Sequence, residues 1–172
     1  RDGGQSWTTD TIGIDAGEML NDICRLSDGT LFFFTLNCHL YKSTDGGHEW
    51  TSVPVPGYPL KLFVNESDEL ILFSQVNGIS VYKSNDKGEN FVSVKSVPVS
   101  FYTMMDHTVH HRGGIYYLLI PGYGVLKTSD FNTFTPFWQH NTARDMLMDA
   151  TGNFLVTELQ SGTVNYFGVG PK

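Results

Sequence analysis

Three groups of residues in this sequence could do chemistry. His107, His110 and His111 crowd the stretch "DHTVHHRGG" at 106–114, next to Asp106, and imidazoles so close together suit zinc or nickel. That stretch also reads as the end of a strand and a turn, where alternation sends His110 and His111 to opposite faces. No cysteine or further carboxylate nearby completes a ligand set, so no metal site and no cofactor are expected. The second group is a pair of acids, Asp22 and Asp145, at matching points of the first and last quarters of the chain. Two carboxylates held about 5–9 Å apart are the machinery of glycoside hydrolysis, whereas acids at repeated positions also serve as polar caps of a channel. The third group is a set of aromatics beside charges: Tyr58, Lys61, Tyr102, Tyr123, Trp138, His140 and Arg144, with Asp15 and Glu18 in similar stretches. Such mixtures suit a peptide or carbohydrate surface.

What positions these groups is a repeat. "KSTDGGHEW" at 42–50 returns as "KSNDKGENF" at 83–91, with weaker copies in "RDGGQSW" at 1–7 and "KTSDFNTF" at 127–134. The turn aspartates are Asp2, Asp45, Asp86 and Asp130, 43, 41 and 44 residues apart. Between them one order of events recurs. A mixed segment ("LNDICRL", "LKLFVNE", "ARDMLMD") leads through a turn to an apolar run ("LFFFT", "LILFS", "IYYLLI", "FLVTE"). A second tight turn leads to "HLYKS", "ISVYKS", "GVLKT" or "TVNYF". The aspartate turn then opens a last strand at Trp7, Trp50, Phe91 or Phe134. Four short strands joined by hairpins, repeated every ~40–50 residues, predict an all-β propeller of four-stranded antiparallel blades over residues 1–172.

The turn has a physical logic of its own. A short Asp side chain accepts hydrogen bonds from the backbone N–H groups of its own turn. Gly47 and Gly88 supply positive φ, and the Trp or Phe packs inward to pin the hairpin. All four turns are therefore expected to be structural. The hairpin signal in "LSDGTL" places Cys24 opposite Phe33, and Cys38 is expected to start the third strand. A middle strand then separates the two sulfurs by about two strand spacings, too far for a disulfide.

The turns resemble the Asp-box, or BNR repeat, with the pattern Ser/Thr-x-Asp-x-Gly-x-x-Trp/Phe, found in sialidases, other glycoside hydrolases and sortilin-type receptors. "STDGGHEW" and "SNDKGENF" fit it fully; "SDFNTF" keeps Ser129, Asp130 and Phe134 but has Asn132 where glycine belongs and one residue fewer. The resemblance implies a ring of six to ten blades with the ligand site opposite the boxes. It also implies how a sialidase would look: three arginines clamping a carboxylate, and an Arg-Ile-Pro segment. This sequence has four arginines and no such segment. Arg1 and Arg112 fall on the box side, Arg25 late in its strand, and only Arg144 toward the axis, so an autonomous sialidase is not expected.

The remaining features bound the partners. The sequence of 172 residues carries a net charge of −7 without a block of either sign, which disfavours nucleic acid and anionic membrane surfaces. Nothing approaches the ~20 apolar residues of a membrane span. The sequence opens on Arg1, inside a repeat, and reads as a processed product or a piece of a longer chain, with an extracellular or periplasmic setting favoured. "NES" at 65–67 matches a glycosylation acceptor, meaningful only in a eukaryotic secretory setting. A strand at 7–12 could complete the last blade; otherwise further blades or a second copy would complete the ring. The expectation is a non-catalytic module engaging protein or carbohydrate. The rival is part of a glycoside hydrolase whose other catalytic residues lie elsewhere.

Overall fold

The computed structural model describes residues 4–6, 14, 17–76, 78–97, 109–120, 123–158 and 164–167. Their regular structure is all β, in four antiparallel sheets of consecutive strands. The first holds β1 (Leu20–Arg25), β2 (Leu31–Thr35), β3 (Leu40–Ser43) and β4 (Thr51–Val53). The second holds β5 (Tyr58–Val64), β6 (Leu70–Gln75), β7 (Ile79–Ser84) and β8 (Val92–Val97). The third holds β9 (Val109–Arg112), β10 (Ile115–Ile120), β11 (Gly124–Thr128) and β12 (Thr135–Gln139). The fourth has three described strands, β13 (Ala143–Met148), β14 (Phe154–Glu158) and β15 (Val164–Phe167). The expected strand at 7–12, and with it Asp2 and Trp7, lies outside the described residues.

The sheets stack face against face, and alternation decides which side chain goes to which neighbour. Phe32 and Phe34 join Leu62, Leu70 and Leu72 in one core, between the first sheet and the second. Ile71, Phe73 and Val81 turn the other way and meet Tyr116, Leu118 and Leu126 of the third. Leu119 and Val125 then meet Met146, Phe154 and Val156 of the fourth. The run Leu70–Phe73 is apolar at every position because both of its faces are covered. Burying a Leu or Phe side chain contributes roughly 1.5–3 kcal/mol, so these three interfaces supply much of the fold's stability. Among the described residues, none of the three cores joins the fourth sheet to the first.

The aspartate turns close the outer hairpins as expected. Ser43 Oγ donates to Asp45 Oδ1 (2.8 Å) and accepts from Gly47 N (2.9 Å), while His48 N and Glu49 N both donate to Asp45 Oδ1 at 3.0 Å. Trp50 Nε1 donates to Gly47 O at 2.9 Å, and its ring sits edge-on to Phe33. Ser84, Asp86, Gly88 and Asn90 repeat the arrangement, and Phe91 packs against the first core. Gly47 and Gly88 have φ of 100° and 81°.

The third turn differs from its reading in the sequence. Thr128, not Ser129, fills the first position: its hydroxyl donates to Asp130 Oδ1 (3.2 Å) and accepts from Phe131 N (2.9 Å). The left-handed residue is Phe131 (φ 59°) rather than Asn132. With one residue fewer at the apex, Phe131 takes the place that glycine holds in the other turns. Its ring is 2% exposed, 4.5 Å from that of Tyr116. That burial offsets the ~1–3 kcal/mol such a backbone costs a non-glycine residue. Phe134 packs on the same core.

Two further corrections come from turn length. The first hairpin loop runs from Leu26 to Thr30, whose N and O close it at 2.9 Å, so Cys24 pairs with Phe32 rather than Phe33. Cys38 stands in the next turn with φ 72°, two residues ahead of β3. Both thiols are free.

Strand alternation puts the aspartate turns on one side of the stack, together with the hairpins that close β1–β2, β5–β6, β9–β10 and β13–β14. Side chains there stitch neighbours: Ser27 N and Oγ donate to Asp68 (2.8 and 2.7 Å), and Lys87 Nζ meets Asp28 at 2.6 Å. The Arg112 guanidinium donates to Thr151 O.

Two measurements check this account of the turns. A Cβ on Gly88 would lie 2.9 Å from Phe32 Cε1, whereas one on Gly47 meets nothing closer than 3.6 Å. Gly88→Ala should therefore cost about 2–3 kcal/mol in denaturant unfolding and Gly47→Ala about 1; the reverse order would contradict the close approach. The Asp86 carboxyl is held down from its ordinary 3.8 to about 2, chiefly by the Asn90 side-chain amide, then by Asn90 N and the Ser84 hydroxyl. A depressed carboxylate stabilises above its unfolded value and stops doing so as pH falls through its folded value. The melting temperature of Asp86→Asn should accordingly fall less than that of the parent chain between about pH 4 and pH 2.

Candidate ligand face

The side opposite the aspartate turns carries the loops that lead into each sheet and the β2–β3, β6–β7 and β10–β11 turns. Hydrogen bonds knit it. Tyr58 Oη donates to Leu36 O at 2.8 Å, tying the start of the second sheet to a turn of the first. Ser74 Oγ donates to Pro56 O, where Gly57 (φ 68°) lies so close that a Cβ would come within 2.5 Å of Gln75 O. Glu18 and His39 form a short contact through Oε1 and Nδ1. The Glu18 carboxyl is pushed below its usual range, first by the Thr35 hydroxyl and then by His39.

Seven residues were expected to bind ligand, and the structure divides them. Tyr123, Trp138 and His140 come together at the outer end of the third sheet. The Trp138 and His140 rings are parallel, 4.9 Å apart with 1° between planes. His140 N donates to Tyr123 O (3.1 Å), Gln139 Nε2 donates to Tyr123 Oη (3.1 Å), and Thr142 Oγ1 bonds His140 Nδ1 (2.9 Å). Gly124 permits this, because a Cβ there would strike Trp138 O at 2.2 Å. Arg144 follows two residues after Thr142, at the start of β13. Tyr58 is a fastener between sheets, with its hydroxyl engaged as described. Tyr102 lies outside the described residues.

Lys61 has another task. Its Nζ lies 2.8 Å from Asp22 Oδ2, joining β5 to β1. Asp22, Lys61 and Asp145 each follow a register shift in the innermost strand of their sheet. The two aspartates also accept a hydrogen bond from the next N–H, Ile23 N at 3.0 Å and Met146 N at 2.8 Å. Matching positions of the repeat thus follow a register shift, with Asp22 and Asp145 accepting from the next N–H and Lys61 reaching across to the first sheet. The sequence pairs Asp22 with Asp145 as acids; in the fold, Asp22 has Lys61 as its partner.

A cavity of about 330 Å³ opens beside this pair, lined by Asp22, Cys24, Lys61, Val109, His111 and Tyr116 among others. Asp22 and Lys61 pair with each other there, while His111 Nε2 is buried without a hydrogen-bond partner among the described residues. His111 Nδ1 lies 3.0 Å from Glu66 Oε1, and the Cys24 thiol is pushed up to about 12, mainly by burial, so it is no nucleophile at neutral pH. His110 points the other way, onto Met146 O at 2.7 Å, as alternation requires. Among the described residues no cluster of His, Cys, Asp or Glu is placed to hold a metal, and no helix is long and apolar enough to cross a membrane. The side chain of Asn65, in "NES", bonds Ser67 N, Glu69 N and Glu69 Oε2 at 2.7–3.0 Å.

The family pattern of the DUF6242 beta propeller domain matches residues 1–164. The chain belongs to that family. No curated protein matches this DUF6242 propeller. Among solved structures it is similar to YCF48 bound to D1 peptide (TM-score 0.66, 17% identity, over 96% of this chain and 56% of that one). It is also similar to YCF48 from Cyanidioschyzon merolae (TM-score 0.63, 17% identity, 92% and 55%). XC5397 from Xanthomonas campestris, described as a gluconolactonase, gives 0.62 at 18% identity over 86% and 58%. These identities show a common fold. The chain spans little more than half the length of the YCF48 chains it matches.

The Asp22–Lys61 pair gives a test of the geometry. Both side chains are about a fifth exposed, so a double-mutant cycle with Asp22→Ala and Lys61→Ala should give a coupling of about 0.5–1 kcal/mol in stability. A coupling indistinguishable from zero would mean that the pair does not join β1 to β5.

Proposed function

We propose that this propeller is a binding module without chemistry of its own, taking a peptide or protein segment on the face opposite the aspartate turns. The observation that carries this reading is the ledge of Trp138 stacked on His140 and held by Tyr123 and Thr142. A rigid aromatic pair loses little freedom on binding, and Trp and Tyr supply the anchors of most interfaces. Arg144 at the start of β13 adds a guanidinium for carboxylate or carbonyl groups of the ligand. A structural neighbour, YCF48, is described as bound to a peptide, which is consistent with a peptide-sized occupant here. A glycan would meet the same surface through aromatic stacking. The described aspartate turns favour a place among the Asp-box propellers.

Of the rival glycoside-hydrolase reading, only the Asp22–Asp145 pair is weakened, since the Asp22 carboxylate is engaged by Lys61 and by Ile23 N.

Probing the purified chain against a random-peptide array and a glycan array separates the ligand classes. A peptide hit should lose at least tenfold in affinity in Trp138→Ala, equivalent to about 1.4 kcal/mol or more. It should be unchanged in Asp45→Asn on the opposite side. Binding that ignores Trp138, or that depends on Asp45, would refute the assignment of the face, and glycan hits alone would refute the peptide.

A further inference from the structure

The cavity of about 330 Å³ lies where the innermost strands of the first three sheets meet, and it shares no lining residue with the Trp138 ledge. Its polar groups come from three sheets: Asp22 from β1, Lys61 from β5 and His111 from β9. Lys61 Nζ lies 2.8 Å from Asp22 Oδ2, near enough to balance its charge, yet Oδ2 is buried and receives no well-aligned hydrogen bond among the described residues. His111 Nδ1 is 3.0 Å from Glu66 Oε1, and a carboxylate only accepts, so Nδ1 carries the proton. The other ring nitrogen, Nε2, is buried with no partner among the described residues. Buried polar atoms left in this state are costly, and they call for an occupant. Phe63 and Tyr116 supply the apolar part of the wall, with ring centroids 6.2 Å apart.

We propose that this cavity binds a small neutral ligand with adjacent hydroxyl groups, of the size of one sugar ring. Charge selects neutrality. Asp22 and Lys61 already balance each other, and their side chains are only about a fifth exposed. An added carboxylate would stand against Asp22, and an added amine against Lys61. Hydrogen bonding selects the hydroxyl, which both donates and accepts, whereas a carboxylate only accepts and an ammonium only donates. One hydroxyl can donate to His111 Nε2, while its neighbour donates to Asp22 Oδ2 and accepts from Lys61 Nζ. Size selects a single ring, since the volume is at the lower end of the ~300–1,000 Å³ of ligand pockets. The C–H face of such a ligand finds its apolar surface on Phe63 and Tyr116. The Cys24 thiol, also on the wall, stays protonated at neutral pH and adds no charge.

Saturation-transfer NMR of the purified chain tests this with D-glucose, D-mannose, D-galactose, D-xylose and myo-inositol at millimolar concentration, beside succinate and putrescine as charged probes. At least one neutral probe should bind, and in isotope-labelled chain it should shift the amides of β1, β5 and β9. His111→Phe keeps a ring against Tyr116, whose centroid is 4.4 Å away, but removes both nitrogens. It should weaken that probe about tenfold or more, as should Lys61→Met. Val92→Ala, exposed on outer strand β8, should leave the affinity unchanged. Circular dichroism checks that each variant is folded; where one is not, the shift map of the parent chain decides. Failure of every neutral probe to bind would leave the cavity to water and overturn the inference. So would a preference for succinate or putrescine, shifts confined to the Trp138 side, or a folded His111→Phe chain that binds as the parent does.

Discussion

Each sheet in this protein is apolar on both faces, and that constraint shapes everything else. A sheet with one apolar face can rest against a single neighbour, but Phe32–Phe33–Phe34 and Leu70–Ile71–Leu72–Phe73 leave no face for water. Sheets of this kind must stack in series, and the right-handed twist between successive strands turns the stack about an axis. The innermost strands then line that axis, which is where the chain changes character. β1, β5 and β13 each break register once, and at the break stand Asp22, Lys61 and Asp145. Polar residues are tolerated there because the bulge gives them a local backbone donor or a charged partner.

The aspartate turns answer a second need. Each outer hairpin ends a sheet at the rim, where few apolar contacts hold it. A carboxylate accepting two or more N–H groups, with a serine or threonine hydroxyl bridging it to the strand end, replaces those contacts by charge-assisted hydrogen bonds. The same economy appears in the β13–β14 hairpin, where Asp149 Oδ1 accepts from Thr151 N and Asn153 N at 2.8 Å. With one side of the stack committed to such fasteners, variation is left to the loops of the other side. There Trp138, His140 and Tyr123 form a surface whose order comes from hydrogen bonds within the third sheet and its exit loop.

Much of this was legible in the sequence, because strands of period two and turns of fixed spacing leave marks that survive without homologues. The four sheets, their strand order, the sides on which the turns fall and the roles of Asp45, Asp86, Gly47 and Gly88 could all be read. What could not be read depended on single-residue offsets. The Leu26–Thr30 loop is longer than a two-residue hairpin and moved Cys24 by one place. The shortened third turn passed its first position to Thr128 and its left-handed position to Phe131, a residue type that propensity alone would never put there. Lys61 looked like a ligand group because its partner, Asp22, lies 39 residues away on another sheet. A salt bridge between repeats has no signature in local pattern.

Amide hydrogen exchange tests the central claim most directly, namely that two-sided burial of the sheets holds the fold. Strands β6, β7, β10 and β11, whose sheets are covered on both faces, should exchange slowest, and β13 and β14, whose outward row includes Leu147 at 61% exposed, distinctly faster. Equal protection across these sheets, or slower exchange in the fourth, would contradict the account.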